Sequence, residues 1–578
     1  MKKLTFLLFV LILACKDTNT KSDFDFETVF EKSQGTQTAT YQETISYFTE
    51  LANLYSEIAI HEIGETDSGK PLHIVTLNPD AEFDFESIRK NKRIILINNG
   101  IHPGESDGID ATMMLYRDIA KGKIDLPDNV VLVNIPVYNI GGSLNRNSGT
   151  RANQNGPEEY GFRGNARNYD LNRDFIKCDT KNARAFAEVY HLVKPDVFIE
   201  NHVSNGADYQ YTLTHLITQH NKLGGELGAF LHETIQPEFE QKLKEKNWDI
   251  TPYVNVWNNT PEHGFSQFFD NARYSSGYTT LFNTIGFMVE THMLKPYKQR
   301  VEGTYDFMLS MIEVVEDHSD AIDKLRKNMP SQLHKNKTYT LEWEVDTTKH
   351  SILKFKGFEG EYITSEVTGA KRLKYNHDKP YTKDVVYQNY FKPKTQVEIP
   401  SAYIIPQGWH HVLDLLKLNQ VEFKMLDKDS TITVESYRIT DYKTRTRAYE
   451  GHYPHYNTSF TKSIKEVTFS KGDYIIPTKQ YAFRYLMETL EPHAPDSYFN
   501  WNFFDTILQK KEHFSPYVFE DTAKQMLDSN PELKAEFEAK KAEDETFKTN
   551  WYAQLVWLYE RSEHYDTAYL QYPVYRTL

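Results

Sequence analysis

The segment Asn99-Gly-Ile-His102-Pro-Gly-Glu105 puts a histidine and a glutamate three residues apart in a turn, and these two donor types can share one divalent metal ion. With 21 histidines in the chain, such a pair arises by chance about once or twice, so its surroundings must carry the argument. A catalytic zinc centre takes three protein ligands and leaves a position open for water, which demands one more donor. His202, His215 and His292 are the candidates. His202 in Glu200-Asn-His202 is preferred, because it closes the apolar run that starts at Asp196 and so reaches the same sheet edge as His102. His292 also follows an apolar run and is its main competitor, whereas His215 reads as an ordinary satisfied histidine. Glu290 ends the run Phe287-Met-Val289. A carboxylate at the inner end of a buried strand is costly unless it is paired or used. Beside zinc, which brings the pKa of bound water down toward about 7, it can accept a proton and pass it to a leaving amine.

Between Tyr138 and Lys181 lies a stretch with little apolar periodicity, rich in Gly, Asn and Arg. Long irregular segments inside folded domains are uncommon and usually functional. This one carries Arg146, Arg151, Arg163, Arg167 and Arg173 in an otherwise acidic chain, and guanidinium groups are the natural partners of a carboxylate. For Arg146, Arg151 and Arg167 a solvated basic loop is an equally good reading.

The elements that must position these groups are visible as periodicities. Apolar runs at Arg93–Asn99, Val130–Tyr138, Asp196–Glu200 and Ile285–Val289 have strand length, and the stretches 106–121 and 181–193 carry helical stripes. Buried strands alternating with helices predict an α/β fold with a parallel or mixed sheet covered on both faces, over about residues 41 to 330. The turn at His102 then falls at the carboxyl edge of that sheet, where ligands gather. From residue 336 to about 480 the texture changes to short alternating segments, Tyr339–Val345, Val397–Ile405 and Ile432–Tyr437, which predict a small β-rich domain. Residues 481–578 read as a helical C-terminal region. Its aromatic residues Tyr498, Phe499, Trp501, Phe503 and Phe504 fit a core. His410, His411, His452 and His455 lack a carboxylate set and fit surface or packing roles.

The succession His102-x-x-Glu105, Arg163, Asp170-Leu-Asn172-Arg173-Asp-Phe175, His202 and Glu290 resembles the zinc carboxypeptidase family, the funnelin type of metallocarboxypeptidase, over about half of the chain. The resemblance implies an eight-stranded mixed, mostly parallel sheet flanked by helices. It implies one zinc ion held by His102, Glu105 and His202, Asn172 and Arg173 gripping a substrate's terminal carboxylate, and Arg163 polarising the scissile carbonyl. Asp170 is similar to the carboxylate that orients the first histidine ligand, and Glu290 to the general base that acts on zinc-bound water. The family's mobile tyrosine is best matched by Tyr274, with Tyr278 close behind. Side-chain preference in the family depends on the pocket floor, and Thr279, Thr280 and Asn283, taken as that floor, hold no charge to favour a basic residue.

Met1-Lys-Lys3 followed by an apolar run to Ala14 reads as a signal peptide, and Ile12-Leu-Ala-Cys15 resembles a bacterial lipobox, which would make Cys15 the lipidated first residue of an exported, membrane-anchored protein. Only Cys178 would remain, so no intramolecular disulfide is expected. Residues 15–40, rich in Thr, Ser, Lys and Asp, read as a tether. The net charge of -15 argues against a general nucleic-acid binder. These observations predict an enzyme that hydrolyses C-terminal peptide bonds, its substrate a peptide with a free C-terminal carboxylate. Two other readings compete: an amidase or deacylase of the same fold acting on cell-wall peptides or acyl amino acids, and a surface lipoprotein that binds peptides or glycans without turnover.

Overall fold

A computed structural model describes residues 24–578; the signal peptide and Cys15 lie outside the described residues. Eight strands form the central sheet: β1 Ile58–Glu65, β2 Pro71–Leu77, β3 Arg93–Asn98, β4 Val130–Ile135, β5 Val197–Ser204, β6 Leu213–Ile217, β7 Ile250–Pro252 and β8 Ile285–His292. Their spatial order is β1-β2-β4-β3-β5-β8-β6-β7. The run β4-β3-β5-β8 is parallel, as is β6 with β7, while β1, β2 and β6 join antiparallel. This is the mixed, mostly parallel eight-stranded sheet that the family resemblance implies.

The two-residue period of the strands sorts their side chains into two cores. Ile95, Ile97, Val197, Ile199 and Phe287 pack with three helices, α1 Tyr41–Leu54, α2 Asp107–Ala120 and α4 Tyr297–Asp317. Ile94, Leu96, Val131, Val133 and Phe198 pack on the other face with the helix α3 Lys181–Val193. That second core does not stop at residue 330. It runs on without a break through Tyr403, Leu416, Tyr485, Tyr498, Phe499 and Trp501. Phe282 stacks on Tyr481 and Tyr485, and Asn419 accepts a hydrogen bond of 2.7 Å from Tyr278 and lies 3.3 Å from His191. The C-terminal half therefore covers one face of the central sheet.

Two long hairpins dominate that half: β9 Ser351–Thr364 with β10 Lys371–Gln388, and β11 Ser430–Thr444 with β12 His455–Phe469. The first adds to the short strand Phe265–Ser266 and packs on the loop that carries Trp257. The second belongs to a six-stranded sheet whose members include Ala402–Ile405 and the C-terminal strand Tyr575–Thr577. The last strand is a departure from the all-helical reading of residues 481–578: three residues carry no periodicity, and only pairing with distant strands makes them extended. Tyr498, Phe499, Trp501 and Phe504 are buried core residues, as expected.

The tether reading of residues 15–40 fails over its described part. Thr28 and Glu31 form a capping box at the helix Val29–Lys32, Phe26 and Phe30 are buried, and Arg117 pairs with Glu31 at 2.6 Å. Phe26 and Phe30 are too few to register as a period, yet they pack edge-on against Tyr47 and Tyr297. Cys178 is free and fully buried, with a left-handed backbone (φ 47°), and burial pushes its thiol pKa upward. Among the described residues no helix is long and apolar enough to cross a membrane.

Candidate active site

Three adjacent parallel strands deliver the chemistry. β3 runs straight into Asn99–Glu105, β5 carries His202, and β8 carries Glu290. His202 and Glu290 are register partners across the β5–β8 ladder, so their side chains leave the same sheet edge as neighbours. β8 is buried throughout except at Glu290, where it opens to a cavity. The turn after β3 needs Gly100 in the left-handed region (φ 65°). Gly104 is bare because a Cβ there would meet Arg151 at 2.5 Å and the Gly161 carbonyl at 3.1 Å.

His102, Glu105 and His202 are all buried, and one donor atom of each lies within 4.8 Å of the other two. Glu105 Oε2 is 3.3 Å from His102 Nδ1 and 2.9 Å from His202 Nδ1, and it accepts the Val203 N–H at 3.0 Å. The far nitrogens are both held by carboxylates: His102 Nε2 lies 2.9 Å from Asp170 Oδ1, and His202 Nε2 lies 3.0 Å from Glu200 Oε2. That leaves both Nδ1 atoms turned toward Glu105, the arrangement in which outer carboxylates fix ligand tautomers. Burial raises the cost of ionising Glu105, but Arg151 and His102, with hydrogen bonds from both histidines, outweigh it and hold its pKa well below the usual range. For His202 burial acts in the opposite sense and is overcome by Glu105 and Glu200, which raise its pKa.

Around this cluster a cavity of about 290 Å³ is lined by Arg163, Asn172, Arg173, Tyr274 and Glu290, besides the three donors. Arg163 donates to Asp170 Oδ2 at 2.9 Å and reaches Glu105 at 3.6 Å. Asp170 caps the short helix Leu171–Arg173 by accepting the Asn172 N–H at 3.0 Å, so one carboxylate ties His102, Arg163 and the Asn172–Arg173 turn together. Burial works against its ionisation, yet His102, Arg163 and Arg173 hold its pKa far below the ordinary value. The Arg173 guanidinium lies 4.6 Å from the centre of the Tyr274 ring. Burial, reinforced by Glu105, pushes Glu290 up to about 8 against the opposing charges of His202, Arg163 and Arg151.

Of the alternatives that the sequence left open, His292 is paired loosely with Asp208 (3.5 Å) and packed on Tyr209, and His215 bonds Glu240 at 2.9 Å. Neither lines the cavity. Tyr278 is core, bonded to Asn419, while Tyr274 faces the cavity. Arg146 bonds backbone carbonyls of residues 38, 39 and 159, and Arg167 that of Asp179. His452 bonds Asp179, His455 bonds Asp505, and His411 bonds the Phe503 carbonyl. Thr279, Thr280 and Asn283 are not the pocket floor: both threonine hydroxyls donate to the Ser276 carbonyl, and Asn283 lines a separate cavity.

Sequence reasoning passed over several residues here. Glu200 stands two positions before His202, so both project to one face of β5, and that spacing is a legible signal. Arg151 reaches Glu105 at 2.9 Å and is no solvated loop residue. Tyr253, Trp257, Phe268, Leu216, Met288 and Asp270 complete the wall, delivered by segments without a motif. Asp270 is buried, accepts a hydrogen bond from Ser276, and is pushed up to about 7, chiefly by burial and next by Glu200.

The chain is similar to several known proteins. Residues 44–204 match the model of the zinc carboxypeptidase family. Carboxypeptidase 2 of Trichophyton rubrum is 21% identical over 487 residues, 81% of this chain and 84% of that protein. Among solved structures, the metallo-carboxypeptidase of Burkholderia cenocepacia overlays with a TM-score of 0.37 at 18% identity, over 49% of this chain and 70% of its own. Bovine thrombin-activatable fibrinolysis inhibitor, solved in complex with a tick carboxypeptidase inhibitor, overlays with a TM-score of 0.34 at 13% identity, over 50% of this chain and 98% of its own. Over residues 44–204 this chain is thus similar to the zinc carboxypeptidases, and its buried His102–Glu105–His202 cluster is a donor set that could hold a metal ion.

Proposed function

We propose that the protein removes C-terminal residues from peptides by hydrolysis, with one zinc ion held by His102, Glu105 and His202. The observation that carries this reading is the convergence of that donor set with Glu290, Arg163, Asn172 and Arg173 on one cavity. The donors fit zinc: two imidazole nitrogens and a carboxylate oxygen, each imidazole with its other nitrogen engaged by a carboxylate. Bound there, zinc supplies Lewis acidity that polarises a carbonyl oxygen and eases the deprotonation of water.

The chain's own groups divide the remaining work. Asn172 and Arg173 take the terminal carboxylate of the substrate, the guanidinium as a two-pronged donor. Arg163, held by Asp170, donates to the scissile carbonyl oxygen as negative charge gathers on it. Glu290 accepts a proton from the attacking water as its oxygen joins the carbonyl carbon, then hands that proton to the nitrogen, and the C–N bond breaks as the carbonyl re-forms and the amine leaves. Tyr274, beside Arg173, closes over the C-terminal residue. Hydrolysis of a peptide with a free C-terminus should disappear on chelation and return with zinc, and Glu290→Gln should lower kcat by about 10²- to 10⁴-fold at unchanged zinc content. Equal cleavage of the same peptide with an amidated C-terminus would sink the exopeptidase assignment, and mass spectrometry of acylated amino acids and cell-wall peptides would then identify an amidase. We further propose that Cys15 carries a lipid that anchors the exported protein. Incorporation of a labelled fatty acid, lost in Cys15→Ala, tests this.

A further inference from the structure

The turn at the tip of the hairpin β11–β12 reaches the Tyr169–Asp170 segment beside the cavity from a part of the chain that the family match does not include. Tyr449 and His452 exchange backbone hydrogen bonds of 2.8 and 3.1 Å, with Glu450 and Gly451 between them, both in the left-handed region (φ 49° and 78°). This is the backbone of a tight type I′ turn, in which glycine at the second position is ordinary and glutamate at the first is not. A non-glycine residue held there costs about 1 kcal/mol and points to a purpose for its side chain.

That side chain has a definite target. The Glu450 carboxylate accepts the backbone N–H of Asp170 at 2.9 Å, across 280 residues of sequence. Gly451 lies against Tyr169, where a Cβ would come 2.5 Å from the phenol oxygen, and His452 Nε2 lies 2.7 Å from Asp179 Oδ2. The turn thus seizes the segment on both sides of Asp170–Arg173. Burial disfavours ionised Glu450 and the charge of Asp170 adds to it, while the Asp170 N–H, Lys177 and Arg173 partly compensate. An acid kept in that position is doing more than filling a surface.

Its neighbour Tyr449 addresses the arginines. The Tyr449 ring has its centre 5.8 Å from the Arg273 guanidinium and stacks on Trp501 with centroids 6.1 Å apart, and the Tyr449 side chain bears electrostatically on both Arg173 and Arg273. Arg273 is fixed in turn by Asp496, which forms an ion pair with its guanidinium at 2.8 Å and accepts its backbone N–H at 2.9 Å. Arg273 directly precedes Tyr274, whose ring faces Arg173. The C-terminal half therefore holds Arg173 from two sides, through Tyr449–Glu450 and through the Arg273–Tyr274 segment.

We infer that Tyr449 and Glu450 are positioning residues for the carboxylate-binding side of the site, fixing Arg173 and Asp170 so that the C-terminal region becomes part of the substrate pocket. The inference rests on the carboxypeptidase reading and deepens it. In Tyr449→Phe, KM for a peptide with a free C-terminus should rise about tenfold, as expected for loss of one polar contact to a charged group, while kcat, zinc content and melting temperature stay near those of wild type. Glu450→Ala should raise KM likewise and Glu450→Gln should recover most of it, because the amide oxygen can still accept the Asp170 N–H. Calorimetric binding of the same peptide and of its C-terminal amide to Glu290→Gln, alone and combined with Tyr449→Phe, provides a readout that needs no turnover. The added substitution should weaken binding of the free acid and leave the amide unaffected. Unchanged KM and unchanged binding in Tyr449→Phe and Glu450→Ala would overturn the inference, as would equal losses of kcat and kcat/KM that follow a fallen melting temperature in every variant. Discrimination between acid and amide that Tyr449→Phe abolishes, in a wild-type protein that cleaves neither, would support positioning and refute the hydrolytic reading.

Discussion

Asp270 illustrates how one side chain can be read physically without a motif. Its carboxyl is buried, and burial together with Glu200 lifts its pKa from 3.8 to about 7. The sign follows from proton linkage: the folded protein binds this proton more tightly than the unfolded chain, so the contribution to stability is full below about 3.8 and is lost as pH rises through 7. Asp270→Asn mimics the neutral acid at every pH. In metal-free protein it should match wild type near pH 4 and exceed it by up to a few kcal/mol above pH 7, read as a difference in melting temperature across that range. An opposite trend would mean that Asp270 is ionised and paired. At this scale the candidate metal donors His102, Glu105 and His202 were legible because donor types and strand ends coincide in the sequence. Asp270, Tyr253 and Trp257 were not, because they come from irregular segments whose path is set by what packs on them.

The loop from Tyr138 to Lys181 shows the same division among elements. Its length and its arginines announced a function, but the device that holds it is buried and local. The Asp174 carboxylate accepts from Lys177 Nζ at 2.7 Å, from the Asp179 and Thr180 N–H groups at 3.0 Å each, and from the Thr180 hydroxyl at 2.6 Å. Both charged side chains of the Asp174–Lys177 pair are fully shielded from solvent. Removing one member strands the other, which typically costs about 3–5 kcal/mol. Asp174→Ala should lower stability by that order in denaturant unfolding and weaken peptide binding through the adjoining Asn172–Arg173 turn. A change below about 1 kcal/mol would show that the Lys177–Asp179 contact of 2.7 Å suffices. The strands and helices around the loop were readable from period alone, since β3, β4, β5 and β8 are buried on both faces. The strand Tyr575–Thr577 and the packed Phe26–Ala39 segment were not, since each takes its form from partners far away in the chain.

For the whole molecule, composition and the change of texture near residue 336 suggested separable domains, and the side-chain packing runs the other way. One face of the central sheet is covered by α3 together with Leu416, Tyr485 and Trp501 in one continuous core, with Tyr481 packed against it. A chain ending at residue 336 should therefore expose Phe282 and Tyr278, lose a cooperative unfolding transition and bind hydrophobic dyes. Limited proteolysis of the intact protein should release no stable 41–330 fragment; recovery of such a fragment with a sharp melting transition would refute this account. The pattern rules of strands and helices report which face is apolar, not which later segment will cover it.

Cys178 turns this architecture into a clock. Alkylation requires a solvent-reached thiolate, and this sulfur is sealed beside Phe175 and Ile176 with its thiol held protonated. Each labelling event must wait for the Asp174–Thr180 segment to swing open. At saturating reagent the modification rate becomes the opening rate of the very stretch that carries Asn172 and Arg173, timed from within, with no probe added to the site itself.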